Sequence, residues 1–158
     1  MKRLIHNLFN SNNLDIRDSF LREIPLFHSL SEKEIVRVKE LMYERTFEAG
    51  EYIFHMNQPG AAMFFVKEGS VNIVLPAKDK EGDDVEIAEF TKGNFFGELA
   101  LLDNSPRSAT AQAKTHTKLE AVFRGDFENL MSKDPILSSK LYKQLATIVG
   151  QRLKKSNF

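Results

Sequence analysis

The chain has 158 residues, of which 42% are hydrophobic and 28% are charged, a composition that is ordinary for one soluble globular domain. Lys and Arg number 22, as do Asp and Glu, so the formal net charge is zero and no basic excess indicates nucleic-acid binding. The absence of cysteine excludes disulfides, thiolate zinc sites and cysteine nucleophiles. Without a bilayer-spanning apolar run or a visible secretory signal, the sequence predicts a cytoplasmic protein with no membrane contact.

The first 44 residues predict a helical N-terminal segment. Apolar residues between positions 14 and 43 follow a helical period, which Pro25 interrupts. Ser31 and Glu34 have the spacing of a capping box at the start of a second helix. The helical spacing after this cap continues to Met42, so two short helices are expected before the chain changes character.

Residues 45–123 differ from the preceding segment because short β-prone runs alternate with glycines and turn residues. The runs are Tyr52–Phe54, Met63–Lys67, Val71–Leu75, Val85–Phe90, Ser108–Ala113 and Thr117–Phe123. Short strands at regular spacing are typical of a β-sandwich or barrel. The polar stretch Lys78–Asp84 indicates an exposed hairpin loop within it.

Residues 124–158 predict two C-terminal helices. Asp126 is placed to cap a short first helix, and Pro135 fits the first turn of the second. The apolar residues of the second helix lie close to one stripe: Leu137, Leu141, Leu145, Ile148, Val149 and Leu153. This stripe suits packing on the domain itself, pairing with a second copy, or a lid that moves on binding. Arg152 lies in the last turn, where cations suit the helix dipole.

Residues 95–110, with the sequence FFGELALLDNSPRSAT, have a pattern that indicates ligand chemistry. Glu98–Leu102 is about one helical turn, and Gly97 at its start allows close approach of a ligand to the backbone. Free N–H groups there, the guanidinium fork of Arg107 and the Ser108 hydroxyl favour a phosphate. Glu98 would repel a phosphate but can accept hydrogen bonds from sugar hydroxyls. The predicted ligand has an anionic phosphate beside a sugar hydroxyl.

Each of these residues also has a structural interpretation. Arg107 could form an ion pair with Glu98 that holds an empty site together, and Gly97 could serve a plain turn. A metal enzyme on a β-roll would need clustered histidine and carboxylate ligands. His55 and His116 are far apart in the sequence and have no histidine nearby, so neither a metal site nor an enzyme activity is expected.

The segment resembles the phosphate-binding cassette of cyclic nucleotide-binding domains, the family of the catabolite activator protein and the protein kinase A regulatory subunit. The family pattern is matched at Phe96, Gly97, Glu98, Leu99, Ala100, Leu101, Pro106, Arg107, Ser108, Ala109 and Thr110. The resemblance spans roughly Ile24 to Leu153. It implies a mainly β fold: an eight-stranded, jelly-roll-like β-roll at 45–123, with N-terminal helices at 1–44 and two C-terminal helices at 124–158, in one domain overall.

The resemblance also implies roles for individual positions. Glu98 would bind the ribose 2′-hydroxyl, and Arg107 would pair with the cyclic phosphate. Further phosphate contacts are implied for Ser108 and for the backbone amides of Gly97, Leu99 and Ala100. The base is expected against the inner face of the roll, near Ile73, Ile87 and Ala88, with the C-terminal helix closing over it.

The function implied is that of a regulatory sensor for a cyclic nucleoside monophosphate, with cAMP favoured over cGMP and no metal. Ser108 leaves the base open, because serine at this position occurs in the family with either base. The sequence resembles a stand-alone bacterial-type member, with no output domain expected on the same chain. The expected partners are an effector protein and a second copy bound through the C-terminal helix, without direct nucleic-acid contact. Alternatives are a ligand-free protein-interaction module and a partner of a DNA-binding regulator.

Overall fold

The structure, a computed structural model, describes residues 19–78 and 82–156. Within these ranges the chain has five α-helices: α1 Ser19–Glu23, α2 Glu32–Lys39, α3 Leu99–Leu102, α4 Arg124–Lys133 and α5 Pro135–Ser156. The same ranges contain eight strands: β1 Met42–Phe47, β2 Tyr52–Phe54, β3 Ala62–Glu68, β4 Ser70–Leu75, β5 Val85–Thr91, β6 Phe95–Phe96, β7 Thr110–Ala113 and β8 Thr117–Phe123. A 3₁₀ turn at Pro25–Phe27 lies between α1 and α2.

The strands form two four-stranded antiparallel sheets with the orders β1-β8-β3-β6 and β2-β7-β4-β5. Apart from β4 and β5, which pair as a hairpin in the second sheet, consecutive strands alternate between the sheets in the manner of a jelly roll. The predicted eight-stranded β-roll with flanking helices is therefore confirmed.

Strand β3 separates the two sides of the first sheet, because successive side chains of a strand point to opposite faces. Met63 and Phe65 pack with the helices, whereas Phe64 and Val66 face the interior of the roll. In the same way, Phe95 packs with the helices and Phe96 faces the interior of the roll. This alternation places a row of aromatic rings inside the roll.

Several sequence-based expectations for the helices are confirmed. The Ser31 hydroxyl accepts from the Glu34 amide at 3.3 Å, and the Glu34 carboxylate accepts from the Ser31 amide at 2.7 Å. Pro135 begins α5. Of the predicted stripe on α5, Leu137, Leu141 and Leu145 are buried in the chain's own core. The most apolar face of this helix is thus buried by packing within the chain.

Three boundaries differ from the prediction. The second N-terminal helix ends at Lys39 rather than beyond Met42, because Met42 and the residues after it pair with β8. Asp126 lies inside the first turn of α4, whose N-cap is Phe123. Strand β6 was not expected as a strand, since its two residues precede Gly97 directly; their pairing with β3 extends the first sheet. Positions 14–18, residues 79–81 of the predicted loop and Asn157 lie outside the described residues.

Candidate ligand-binding site

Residues 95–110 form one wall of a cavity of about 230 Å³ inside the roll. Its other walls come from β4, β5 and the C-terminal half of α5. The cavity brings together all of the site residues predicted from sequence: Ile73, Ile87, Ala88, Gly97, Glu98, Leu99, Ala100, Arg107 and Ser108. Their contacts with a ligand remain predictions.

Arg107 is the buried cation of this cavity, with 9% of its surface exposed. Its Nη2 donates to the carbonyl oxygen of Ala62 at 2.8 Å, and Nη1 donates to that of Gly97 at 3.4 Å. Nε is buried without a hydrogen-bond partner, and no carboxylate of residues 19–78 and 82–156 pairs with the guanidinium. Burial lowers the pKa of the Arg107 side chain. A buried cation without a counter-charge is unfavourable alone and therefore attracts an anion.

Two glycines make room for this guanidinium. Gly97 has a φ of +73°, and a Cβ built on it would lie 2.8 Å from Arg107 Nη1. A Cβ on Gly60 would lie 3.3 Å from Nε and 3.1 Å from the Ala100 side chain. Gly97 therefore meets both a backbone requirement and a spatial one, whereas Gly60 serves close packing.

The backbone of Arg107 is fixed by the turn before β3. Its amide donates to the Gln58 carbonyl oxygen, and its carbonyl oxygen accepts from the Asn57 amide, both at 2.8 Å. An isolated β-bridge joins Pro59 to Pro106 beside these bonds. The arginine thus enters the cavity from a paired backbone rather than from a free loop.

Glu98 pairs with Arg152 of α5, and the Glu98–Arg107 ion pair considered as the structural alternative is not formed. Arg152 Nη1 donates to Glu98 Oε1 at 3.2 Å, and Nη2 donates to the Phe95 carbonyl oxygen at 2.7 Å. The Arg107 guanidinium instead donates to the backbone carbonyl oxygens of Gly97 and Ala62. The two arginines consequently have separate surroundings: one is paired with a carboxylate, and the other is not.

Arg152 was not identified from sequence as a site residue. The sequence explains Arg152 only as a cation that suits the C-terminal end of the helix dipole. Its helical spacing from Leu141, Leu145 and Ile148, however, places it on the inward face of α5. A cation that continues an apolar helical stripe is the signal that could have revealed it.

Four phenylalanines, here called the phenylalanine wall, are not among the site residues predicted from sequence, although Phe96 belongs to the matched family pattern: Phe54, Phe64, Phe90 and Phe96. Phe96 stacks on Phe90 and on Phe64 with centroid distances of 5.8 and 5.4 Å. The Arg107 guanidinium carbon lies 4.0 Å from the Phe54 centroid, and that of Arg152 lies 5.1 Å from Phe90. Their positions on β2, β3, β5 and β6 become neighbours only when both sheets form.

The predicted base wall is apolar and partly open. Ile73 and Ala88 are paired across β4 and β5, whereas Ile87 and Leu99 are exposed to 52% and 45%. The Ala100 amide, predicted to contact phosphate, donates to the Gly97 carbonyl oxygen at 3.2 Å. A phosphate contact from Ala100 would share or replace this bond.

The described part of the chain does not show the features of a metal site or of a membrane span. No group of three or more histidine, aspartate or glutamate side chains among residues 19–78 and 82–156 is arranged to hold a metal ion. His116 Nδ1 lies 3.0 Å from a carboxylate oxygen of Glu48, and both side chains are exposed. No helix in these ranges combines the length and apolar character needed to cross a membrane.

The interior of the jelly roll holds a cavity beside a buried guanidinium that no described carboxylate neutralises. Such a β-roll is suited to a small anionic molecule. The family described as the cyclic nucleotide-binding domain matches residues 44–134, and the chain belongs to this regulatory family. This confirms the resemblance found in the sequence.

Relatives with known names or structures support the same fold. A cyclic nucleotide-gated potassium channel of Mesorhizobium japonicum is 38% identical over 112 residues, covering 71% of this chain and 29% of the channel. The Thermus thermophilus catabolite activator protein superposes with a TM-score of 0.73 at 30% identity, covering 84% of this chain and 60% of that chain. The regulatory domain of Toxoplasma gondii protein kinase A, solved with cAMP, has a TM-score of 0.69 at 26% identity, covering 84% and 49%. The chain spans about a quarter to a third of the curated relatives that it matches.

Proposed function

We propose that the chain is a sensor that binds a cyclic nucleoside monophosphate in the cavity between Arg107 and Glu98. The observation that carries this proposal is the unpaired Arg107 guanidinium, buried with a free Nε beside the cavity. A cyclic phosphate carries one negative charge and supplies the missing counter-ion. Charge-assisted bonds of this kind are about twice as strong as neutral ones.

Glu98 and Arg152 together suit the sugar. Arg152 contacts only Oε1 of Glu98, so Oε2 can accept a hydrogen bond from the ribose 2′-hydroxyl. The positive charge of Arg152 also offsets the repulsion between the Glu98 carboxylate and the phosphate. Ser108 lines the same cavity and adds a hydroxyl donor.

We infer that cAMP is preferred over cGMP. The predicted base wall of Ile73, Ile87 and Ala88 has no side-chain donor or acceptor, so it penalises guanine, with three polar groups on that edge, more than adenine, with two. Ser108 is the residue best placed to favour guanine. Titration of both nucleotides into the native protein and into Ser108→Ala tests this: cAMP should bind more tightly to both, and tighter cGMP binding by the native protein would contradict the preference.

The binding proposal is tested by isothermal titration of nucleotide-stripped protein with cAMP and cGMP. We expect saturable binding that Arg107→Gln weakens by about 100-fold or more, because the phosphate loses its charged partner. Arg45→Gln is the matched control, since Arg45 is an exposed arginine outside the cavity. Absence of both heat and thermal stabilisation with either nucleotide would overturn the proposal.

We also infer that the output is a contact with an effector protein in the cytoplasm, without catalysis or direct nucleic-acid binding. The zero net charge supports the last point. The family uses a small ligand to bias a conformation, which requires different affinities for the two states.

A homodimer through α5 forms part of this proposal. With Leu141 and Leu145 buried internally, Tyr142, Ala146 and Leu153 form the outward stripe at alternating spacings of four and seven residues. Light scattering with and without cAMP should give the mass of a dimer, and Ala146→Arg should return the mass of a monomer without weakening nucleotide binding. A native monomer under both conditions would exclude this interface.

A further inference from the structure

The Arg107 guanidinium is held by neutral groups on every side that the structure describes. Two backbone carbonyls accept from it, those of Ala62 and Gly97. Its remaining close neighbour is the ring of Phe54, whose centroid lies 4.0 Å from the guanidinium carbon. Phe64 is farther, at 5.8 Å. Of the two aromatic rings beside this cation, Phe54 therefore presents the nearer face.

The Phe54 ring is itself fixed in place. It ends strand β2, where Phe54 pairs with Ala111 of β7. Its centroid lies 6.0 Å from those of Phe64 and of Phe96. A ring restrained by a strand on one side and by two aromatic neighbours on the other offers a rigid surface for a guanidinium.

A ring and a carboxylate would affect Arg107 differently. The face of an aromatic ring attracts a cation through its quadrupole, and the attraction grows when water is excluded. A carboxylate would neutralise the charge and take up N–H donors. Contact with the ring keeps the full charge of Arg107 for the ligand, which agrees with the buried, unpartnered Nε.

We propose that Phe54 is a positioning residue for anion binding: its ring holds the Arg107 guanidinium in place of a carboxylate and so sets the affinity for the ligand phosphate. This inference rests on the proposed cyclic-nucleotide function. Phe54 acts through Arg107 and has no need to contact the phosphate. The contribution of Phe54 to ligand affinity depends on the electron density of its ring face as well as on the shape of the ring.

The test replaces Phe54 with phenylalanines that carry one, two or three ring fluorines, which weaken the attraction for a cation while nearly preserving ring size. Titration with cAMP should show the dissociation constant rising at each step, to about tenfold for the trifluorinated ring. The same series at Phe27 is the matched control: this buried ring packs against Phe65 in the helical core and does not line the cavity, and less than about a twofold change is expected.

The outcomes separate the two proposals. Tight binding by the native protein with an unchanged dissociation constant across the Phe54 series would overturn the role of Phe54 alone. An equal rise in the Phe54 and Phe27 series would overturn it as well, because the effect would then be one of general packing. Failure of the native protein to bind either nucleotide would overturn the proposed function. Urea unfolding of each variant verifies that the domain remains folded.

Discussion

The helical side and the interior of the β-roll each contain a hydrophobic cluster, and the two are built differently. The helical cluster joins buried side chains from the helices and the outer face of the first sheet, among them Ile24, Phe65 and Leu141. The roll cluster has a small buried base that includes Val71, and partly buried members of the phenylalanine wall surround it. The first cluster is closed, whereas the second is open toward a cavity.

Charge follows the same division. Arg107 lies over a ring of the roll cluster, and Arg152 lies between Phe90 of the roll cluster and Phe95 of the helical cluster. On the helical side, by contrast, Lys140 pairs with Glu34 at the edge of the packing. Closed apolar packing therefore supports the frame, while aromatic faces beside the cavity contact its two arginines. The end of α5 is where the two clusters meet.

The largest expected effect is on the stability that the helical cluster provides. Leu141→Ala removes a side chain that is 2% exposed and should lower the free energy of unfolding by about 2–5 kcal/mol. Nucleotide affinity of the remaining folded protein should change little. Urea unfolding and titration measure the two quantities, and a loss of affinity comparable to the loss of stability would show that the clusters are not separate.

The next largest effect is expected on both stability and nucleotide affinity. Gly97→Ala places a side chain at a φ of +73° and against the Arg107 guanidinium, so we expect a loss of about 1–3 kcal/mol in stability. Affinity for cAMP should also fall by about tenfold or more, since Arg107 must move. Gly125→Ala is the control, because a Cβ there meets nothing within 4 Å; its affinity should match that of the native protein.

A smaller effect should be confined to binding. Arg152→Gln removes the cation that holds Glu98 and offsets its charge, and we expect affinity for cAMP to fall by about three- to tenfold. Stability should change by less than about 1 kcal/mol. Lys155→Gln, an exposed cation three residues later on the same helix, serves as the control. Tighter binding by Arg152→Gln would show that Arg152 competes with the ribose instead of positioning Glu98.

The smallest effect depends on pH. The Ser31 amide and the Lys140 ammonium lower the pKa of the Glu34 carboxyl below its ordinary value of 4.5. The stabilisation is therefore present above that value and is lost as the pH falls through the lower folded-state pKa. Glu34→Gln, which can still form the capping box, should lower the free energy of unfolding by about 0.5–1 kcal/mol at pH 7.

Urea unfolding of the native protein and of Glu34→Gln at several pH values measures this effect. The difference between them should narrow as the pH falls below 4.5 and through the lower folded-state pKa, because the native carboxyl then becomes protonated as well. Glu32→Gln is the control, because the Glu32 side chain is 68% exposed and its ion pair should contribute almost nothing. A difference that is constant with pH would contradict the role of the Glu34 charge.

Local sequence signals predicted the parts of the fold that depend on neighbouring residues. The capping box at Ser31 and Glu34 and the start of α5 at Pro135 follow from hydrogen bonds and dihedral limits within a single turn. The boundary at Met42 was misplaced because the residues before β1 continue a helical spacing. Pairing with β8, almost 80 positions later in the chain, decided otherwise.

The same distinction holds for the cavity. By itself the sequence determined the family, the eight-stranded roll, and a segment in which Gly97, Glu98 and Arg107 lie close together, because these residues are near one another along the chain. Only the tertiary structure decided that Glu98 pairs with Arg152, 54 residues away, and that the Phe54 ring lies beneath Arg107. Such contacts depend on the closure of two sheets and on the docking of a helix, and no local spacing encodes that geometry.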